Sequence, residues 1–233
     1  MTRKHFDSEL QRLHEDILAL GSLVENALAD SVNILKNRDR QEARRLIAAD
    51  RQINNQHIAI EELALTLIAT QQPMARDMRT LAAALEISTE LERIGDYAKG
   101  IAKITLMLGN EPFIKPLIDI PRMADRTVTM LHQSLTAFTQ NDVALARTVA
   151  QEDDEVDSLY NQVYRELFTY VMTDPKKFDQ ATHLMWVGHN LERAADRVVN
   201  ICERVVYTVT GQFVELDHES REDSEPPGPA DTN

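Results

Sequence analysis

Glycine, aromatic residues and cysteine are all scarce in this chain, with seven Gly, 5% Phe, Trp and Tyr, and one Cys in 233 residues. The lone cysteine, Cys202, excludes an internal disulfide and a thiolate zinc cluster. Its apolar neighbours Val198, Ile201, Val205 and Val206 make it a small core residue. Positive charge is also in deficit. A net charge of −13 and a pI near 5.0 argue against a general nucleic-acid binder, which needs clustered Lys and Arg to meet phosphates. No Gly-rich phosphate loop and no Ser-His-Asp arrangement is visible. The start, MTRKHFDSEL, has basic residues without an apolar segment, so no signal peptide is expected. No uninterrupted run reaches the roughly 20 apolar residues that span a bilayer, and no membrane insertion is expected. A cytoplasmic protein follows as the expectation.

What the chain does have is Leu, Ala, Glu and Arg, a helical composition. Every proline falls at a boundary. Pro73 and Pro175 sit in turn-like stretches, Pro112, Pro116 and Pro121 cluster mid-chain, and Pro226, Pro227 and Pro229 lie near the end. The first segment carries Phe6, Leu10, Leu13, Ile17, Leu20, Val24, Leu28 and Leu35 as one apolar stripe. Asp39 and Glu42 form a capping-box pattern that opens a second helix to about Thr70. A third runs from about Ala75 to Leu108. Three more helices are expected at about 122–140, 142–172 and 177–210, with Asn141-Asp142 capping the middle one. The fold class is therefore all-α, with six long helices in two tandem antiparallel three-helix bundles. The domains are 1–108 and 122–213, joined by a Pro-rich linker at 109–121 and followed by a disordered acidic tail at 214–233.

Internal duplication is legible. At an offset of 103, Ser31, Asp39, Ala43, Arg44 and Asp50 match Ser134, Asp142, Ala146, Arg147 and Asp153. At an offset of 100, LERIGD (91–96) matches LERAAD (191–196). Each block carries acids four residues apart, which stack two like charges on one helix face. Residues equidistant from the turn of a helix hairpin face each other, since both helices rise about 1.5 Å per residue. Around Pro73 this pairs Asp50 with Asp96 and Asn54 with Glu92. Around Asp174-Pro175 it pairs Asp153 with Asp196 and Asp157 with Glu192. Four oxygen-bearing side chains thus reach one level in each half. Ser22, Glu25 and Asn26 on the first helix, and Asp125 on the fourth, are weaker candidates at that height.

Such oxygen donors without Cys suit hard cations, Mg, Ca or Mn before iron. The competing reading is a solvated face with Arg93–Asp96 and Arg193–Asp196 salt bridges. A di-iron enzyme would want Glu-x-x-His on core helices. The only such motif is Glu215–His218, near the end. His14, His57, His132, His183 and His189 read as surface or packing residues, and Met123, Met130, Met172 and Met185 as core. Trp186 reads either way.

TELERIGDYAKGIAKI (89–104), NLERAADRVVNICERVVY (190–207) and QQPMARDMR (71–79) resemble the PhoU family of phosphate-uptake regulators, over residues 5–210. The resemblance implies a non-enzymatic, cytoplasmic, homodimeric protein. Its role would be to restrain phosphate uptake and phosphate-starvation signalling. Its partners would be the ATPase of the phosphate ABC transporter and the phosphate sensor histidine kinase. The family's metal motif, Glu/Asp-x-x-x-Asp, maps onto Glu92/Asp96, Asp153/Asp157 and Glu192/Asp196, and imperfectly onto Asp50/Asn54. Asn200 extends the last helix's set, where the first half has Gly100. Bound Mg, Mn, Fe or Zn is expected, more tightly in the second half. The alternative is a metal-dependent helical-bundle enzyme of ferritin-like or hydrolase type.

Overall fold

The computed structural model describes residues 3–109 and 112–216. It is all-α, with seven helices in six arms. These are α1 (Arg3–Asn37), α2 (Arg40–Gln71), α3 (Ala75–Leu108), α4 (Asp119–Gln140), α5 (Val143–Gln151), α6 (Asp153–Thr173) and α7 (Phe178–Thr210). A 3-10 turn at Pro175–Lys177 joins the last two.

Helix starts follow from capping chemistry. Asp39 Oδ1 accepts from the backbone N–H groups of Gln41 and Glu42, both at 3.0 Å. Glu42 does not complete the capping box; it pairs forward with Arg45, while the Asp39 N–H reaches the Ile34 carbonyl. Asp142 Oδ1 accepts from Leu145 N at 3.0 Å, and Asn141 closes α4 in the left-handed region. Helix α4 begins at Asp119 rather than at 122, so Pro121 lies inside its first turn, where a missing N–H costs nothing.

The fifth arm, expected as one helix over 142–172, is interrupted at Glu152. There the Glu152 N–H bonds Val149 O, and the Glu155 N–H bonds Glu152 O. Four successive acids, Glu152 to Glu155, explain the break. Restarting the helix at Asp153 puts three of them in a first turn, where the helix dipole favours negative charge. The corresponding stretch of α2, Ala49 to Gln52, has mixed character and stays continuous.

Helices α1, α3, α7 and α4 pack in a ring, each against the next. Helix α2 lies over α1 and α3; α5 and α6 lie over α4 and α7. The two bundles share one hydrophobic core that draws residues from all seven helices. The expected boundaries at 108 and 122 mark two repeats of this core, not two cores. An 18-residue window of α1 is apolar enough to pass for a membrane span, with mean hydropathy 1.2. Its Leu13, Ile17, Leu20, Val24 and Leu28 are fully buried in that core instead.

The expected disordered tail begins too early. Val214 packs on the core, Leu216 is buried, and its N–H donates to Glu203 Oε1 at 3.0 Å. The rest of that tail, past 216, lies outside the described residues, as do linker positions 110 and 111.

Two close helix crossings fix the ring. A Cβ on Gly21 of α1 would run into Leu135 Cδ1 of α4. A Cβ on Gly100 of α3 would stand 2.9 Å from Asn190 Oδ1 of α7. Helices α3 and α7 run antiparallel, so that Glu86 meets Arg204 at 2.6 Å and Glu90 meets Arg197 at 3.4 Å.

Candidate functional site

The mirrored register places one carboxylate cluster on each flank of the ring, between α2 and α3 and between α6 and α7. Asp50 and its repeat Asp153 are both buried. The sequence pairs the two flanks; their electrostatics differ.

On the first flank, Lys99 stands among the acids. Its Nζ donates to Asp50 Oδ2 at 2.6 Å and to Asp96 Oδ1 at 3.2 Å. The Asp50 hydrogen bond pushes the Lys99 ammonium above its ordinary pKa, so it is firmly charged at neutral pH. Burial raises the Glu92 carboxyl, with Asp96 adding to the rise and His57 and Lys99 opposing it. Asn54 Oδ1 is buried and accepts no hydrogen bond from the described residues. His57 Nδ1 is 3.2 Å from Ser88 Oγ, tying α2 to α3. A groove of about 270 Å³ runs alongside, lined in part by Asn26, Asp50, Ile53 and Gly95.

The second flank has Val199 at the position repeating Lys99, and no ammonium enters the cluster from there. Burial and the charges of Asp196 and Asp157 push the Glu192 carboxyl up to about 7, against a smaller opposing pull from Arg193. Glu192 Oε2 is buried and accepts no hydrogen bond from the described residues, although His189 Nδ1 lies 3.3 Å away. Arg193 Nη1 donates to Asp196 Oδ2 at 2.8 Å, and its guanidinium also hydrogen-bonds Tyr97 across the α3–α7 seam. A cavity of about 210 Å³ beside this cluster is lined by Asp153, Arg193, Asp196, Arg197, Val199 and Asn200.

A hard cation suits the second flank better than the first. Four acids stand there, Asp153, Asp157, Glu192 and Asp196, against three on the first flank, where Asn54 replaces the fourth; each flank has a buried carboxylate oxygen that accepts no hydrogen bond from the described residues, Glu192 Oε2 and Asp50 Oδ1. Among the described residues, no three His, Cys, Asp or Glu side chains already converge at ligating distance, so binding would need side-chain rotation. Each flank already holds one cationic side chain, Lys99 on Asp50 and Asp96 in the first and Arg193 on Asp196 in the second.

The expected residues are brought together with two qualifications. Asp50, Glu92 and Asp96 share one cluster, and Asp157, Glu192 and Asp196 another, as the hairpin register requires. Asn200 lines the neighbouring cavity, yet its Nδ2 donates at 3.2 Å to Glu90 Oε2 on α3, which ties its amide to the seam between the repeats. Of the weaker candidates, Asn26 reaches the groove beside Asp50. Ser22 and Asp125 are exposed. Glu25 lies 3.4 Å from His132 on α4 instead.

Sequence reasoning missed Lys99, His57 and His189. A signal existed, because Lys99 is three residues past Asp96 and His189 three before Glu192, each on the acids' own helix face. Met172, expected in the core, is exposed, whereas Met123 and Met130 are buried. Trp186 is half-exposed and packs edge-on against His183 at 5.5 Å. Burial pushes the Cys202 thiol well up, as its core position implies.

A family model described as the PhoU domain matches twice, at residues 17–105 and 120–205. The chain is 36% identical to a phosphate-specific transport system accessory protein PhoU homolog of Clostridium acetobutylicum, over 93% of this chain and 99% of that one. It superposes on a PhoU structure from Pseudomonas aeruginosa with TM-score 0.85 and 34% identity, covering 89% of this chain and all of the other. The phosphate transport system regulatory protein PhoU of Streptococcus pneumoniae gives TM-score 0.84 and 32% identity, covering 90% of this chain and 99% of the other.

Proposed function

The chain belongs to the PhoU family, and from that premise we propose that it is a non-enzymatic accessory regulator of phosphate transport. It restrains phosphate uptake and phosphate-starvation signalling by contacting the phosphate ABC transporter's ATPase and the phosphate sensor histidine kinase, in the cytoplasm and as a homodimer. A multivalent ion, Mg, Mn, Fe or Zn, binds on the second flank, held by Asp153, Asp157, Glu192 and Asp196. When bound, it neutralises those carboxylates and cross-links α6 to α7.

The observation that carries this reading is the doubled acidic cluster, at one register in both repeats of a family match that spans most of the chain. Tyr164, Phe168 and Met172 support action by contact, since they expose an apolar row at four-residue spacing along α6. The metal-dependent enzyme alternative is set aside with the family assignment.

The test is expression in a bacterium that lacks its own PhoU and carries a phosphate-starvation promoter fused to a reporter. In phosphate-replete medium the reporter should fall several-fold, and Glu192→Gln/Asp196→Asn should weaken that repression. An unchanged reporter at normal protein levels would overturn the regulatory reading. Full repression by the double variant would remove the metal from it.

A further inference from the structure

Among the described residues two apolar features lie open, and both sit at one end of the molecule. The first is the groove of about 270 Å³ between α1 and α2, walled by Leu23, Ala27, Ile34, Leu46 and Ile53. The second is the row of Tyr164, Phe168 and Met172 on α6, which are 48%, 54% and 70% exposed. The linker shows that they share an end. Arg38, at the α1–α2 turn, stacks over the Phe113 ring. The neighbours of Phe113 bond Gln180 in the first turn of α7, just past the α6–α7 turn. The Ile114 N–H donates to Gln180 Oε1 at 2.6 Å, and Gln180 Nε2 donates to the Pro112 carbonyl at 3.0 Å.

The second repeat bridges the matching position with its own side chains. Leu23 is repeated by Arg126, and Ala49 and Gln52 by Glu152 and Glu155. Arg126 of α4 pairs with Glu155 and lies 3.6 Å from Glu152, tying α4 to the α5–α6 arm. Leucine, alanine and glutamine cannot form that ion pair, and in the first repeat the groove stays open.

We propose that a second copy of the chain fills the groove, the α6 row of each copy seating in the α1–α2 groove of the other. The lengths match. At 1.5 Å per residue, Leu23 to Ile34 spans about 16 Å and Tyr164 to Met172 about 12 Å. Apolar anchors one turn apart on a helix are what a groove between helices takes. The charges match as well. From Ser158 to Thr173 the one acid is Glu166, and Lys115 holds it. Exposed Arg165 lies beside the row, whereas exposed Asp30 lines the groove. Arg45, which also lines the groove, is held by Glu42. In a chain of net charge −13 most surfaces of two copies repel, so an acid-poor face opposite an acid sets the register of the pair. The chain's own end does not suit the groove, because residues 217–233 hold no Leu, Ile, Val, Met, Phe, Tyr or Trp and are rich in Asp and Glu. With both features at one end, a two-fold pair makes the same contact twice and closes on itself. The inference rests on the homodimer of the proposed function and names its contact.

The test is sedimentation velocity on the full chain across a wide concentration range, with circular dichroism to check folding. Phe168→Asp spoils the row. Leu23→Arg/Ala49→Glu/Gln52→Glu gives the groove the closure of the second repeat, and Ala49→Phe, at the groove's exposed edge, replaces it should the triple variant not fold. Wild type should dimerise. Each variant should raise the dissociation constant by more than about tenfold, since an aromatic anchor or its seat is lost from both contacts of the pair. Mixed together, the row variant and the groove variant should form a heterodimer at a concentration where neither pairs alone, because one intact row then meets one intact groove. A dimer that survives either variant, or a mixture that stays monomeric, would overturn the proposal and leave the homodimer standing on another contact. Wild type that stays monomeric throughout would overturn the homodimer and this contact together, leaving row and groove to a different protein.

Discussion

Burial and two nearby carboxylates, Asp196 and Asp157, oppose the charge of Glu192 and push its carboxyl up to about 7. The sign of its effect on stability follows from linkage. Its ordinary pKa is 4.5 and its folded value about 7, so between these limits the folded protein holds a proton that the unfolded chain has released. Stability of the metal-free protein must then fall as pH rises from about 4.5 to about 7, and level off above. At 1.36 kcal/mol per pKa unit, reduced for screening at a part-exposed side chain, the loss is on the order of 1–2 kcal/mol. Glu192→Gln should flatten that slope and be the more stable protein at pH 8, as read by denaturant unfolding at pH 5 and pH 8 in chelator. His189, Tyr160, Arg193, Asp157 and Asp196 face or flank the carboxyl in both proteins, so the difference between the two curves isolates Glu192. Parallel curves would mean that its burial is not felt. The acids of this site could be read from the sequence because helix rise fixes their height. Lys99 could not, since height says nothing about which long side chain folds back over a cluster. That choice depends on how α2 and α3 are rotated about their axes, which packing decides.

At the level of the helices, turn chemistry was legible and interior breaks were not. Asp39, Asn141-Asp142 and the prolines set most helix ends to within a residue or three. The break at Glu152 had a signal in the run Glu152 to Glu155, but an apolar stripe that continues through it concealed the restart. Gly21 was silent too, because a helical glycine gains its meaning only from the helix that crosses it. Its missing Cβ lets α4 bring Leu135 against α1. Ala in place of Gly favours a helix by about 1 kcal/mol, but overpacking costs about 1–3 kcal/mol. Gly21→Ala should therefore be destabilised by up to about 2 kcal/mol, and Leu135→Val should recover part of the loss in the double variant. A Gly21→Ala protein more stable than wild type would show that α1 and α4 are not in close contact. Asp39→Ala, by comparison, removes a cap with two backbone hydrogen bonds and should cost about 1 kcal/mol by the same denaturant assay.

The ring of α1, α3, α7 and α4 couples the repeats, and this governs how a local ion would be felt. Duplication in the sequence invites a picture of two bundles on a linker, each melting alone. The single core argues for one cooperative transition, with calorimetric and van't Hoff enthalpies equal. A ligand that binds only the folded state at a hundred times its Kd adds about 2.7 kcal/mol. In a cooperative molecule that increment belongs to every segment that opens only by global unfolding. Mn added to chelator-treated protein should then slow hydrogen exchange at the most protected amides of α2, around Ile53 and Ile60, as much as at those of α6 around Val156 and Leu159. Among the described residues helix α2 touches α1 and α3 but neither α6 nor α7, so protection there would have to travel through the shared core. Slowing confined to α6 and α7 would instead show that the second repeat opens by itself, and that an ion there leaves the first repeat untouched. Equal slowing in both would show that an ion held on the second flank sets the stability of the whole molecule, through the core the two repeats share.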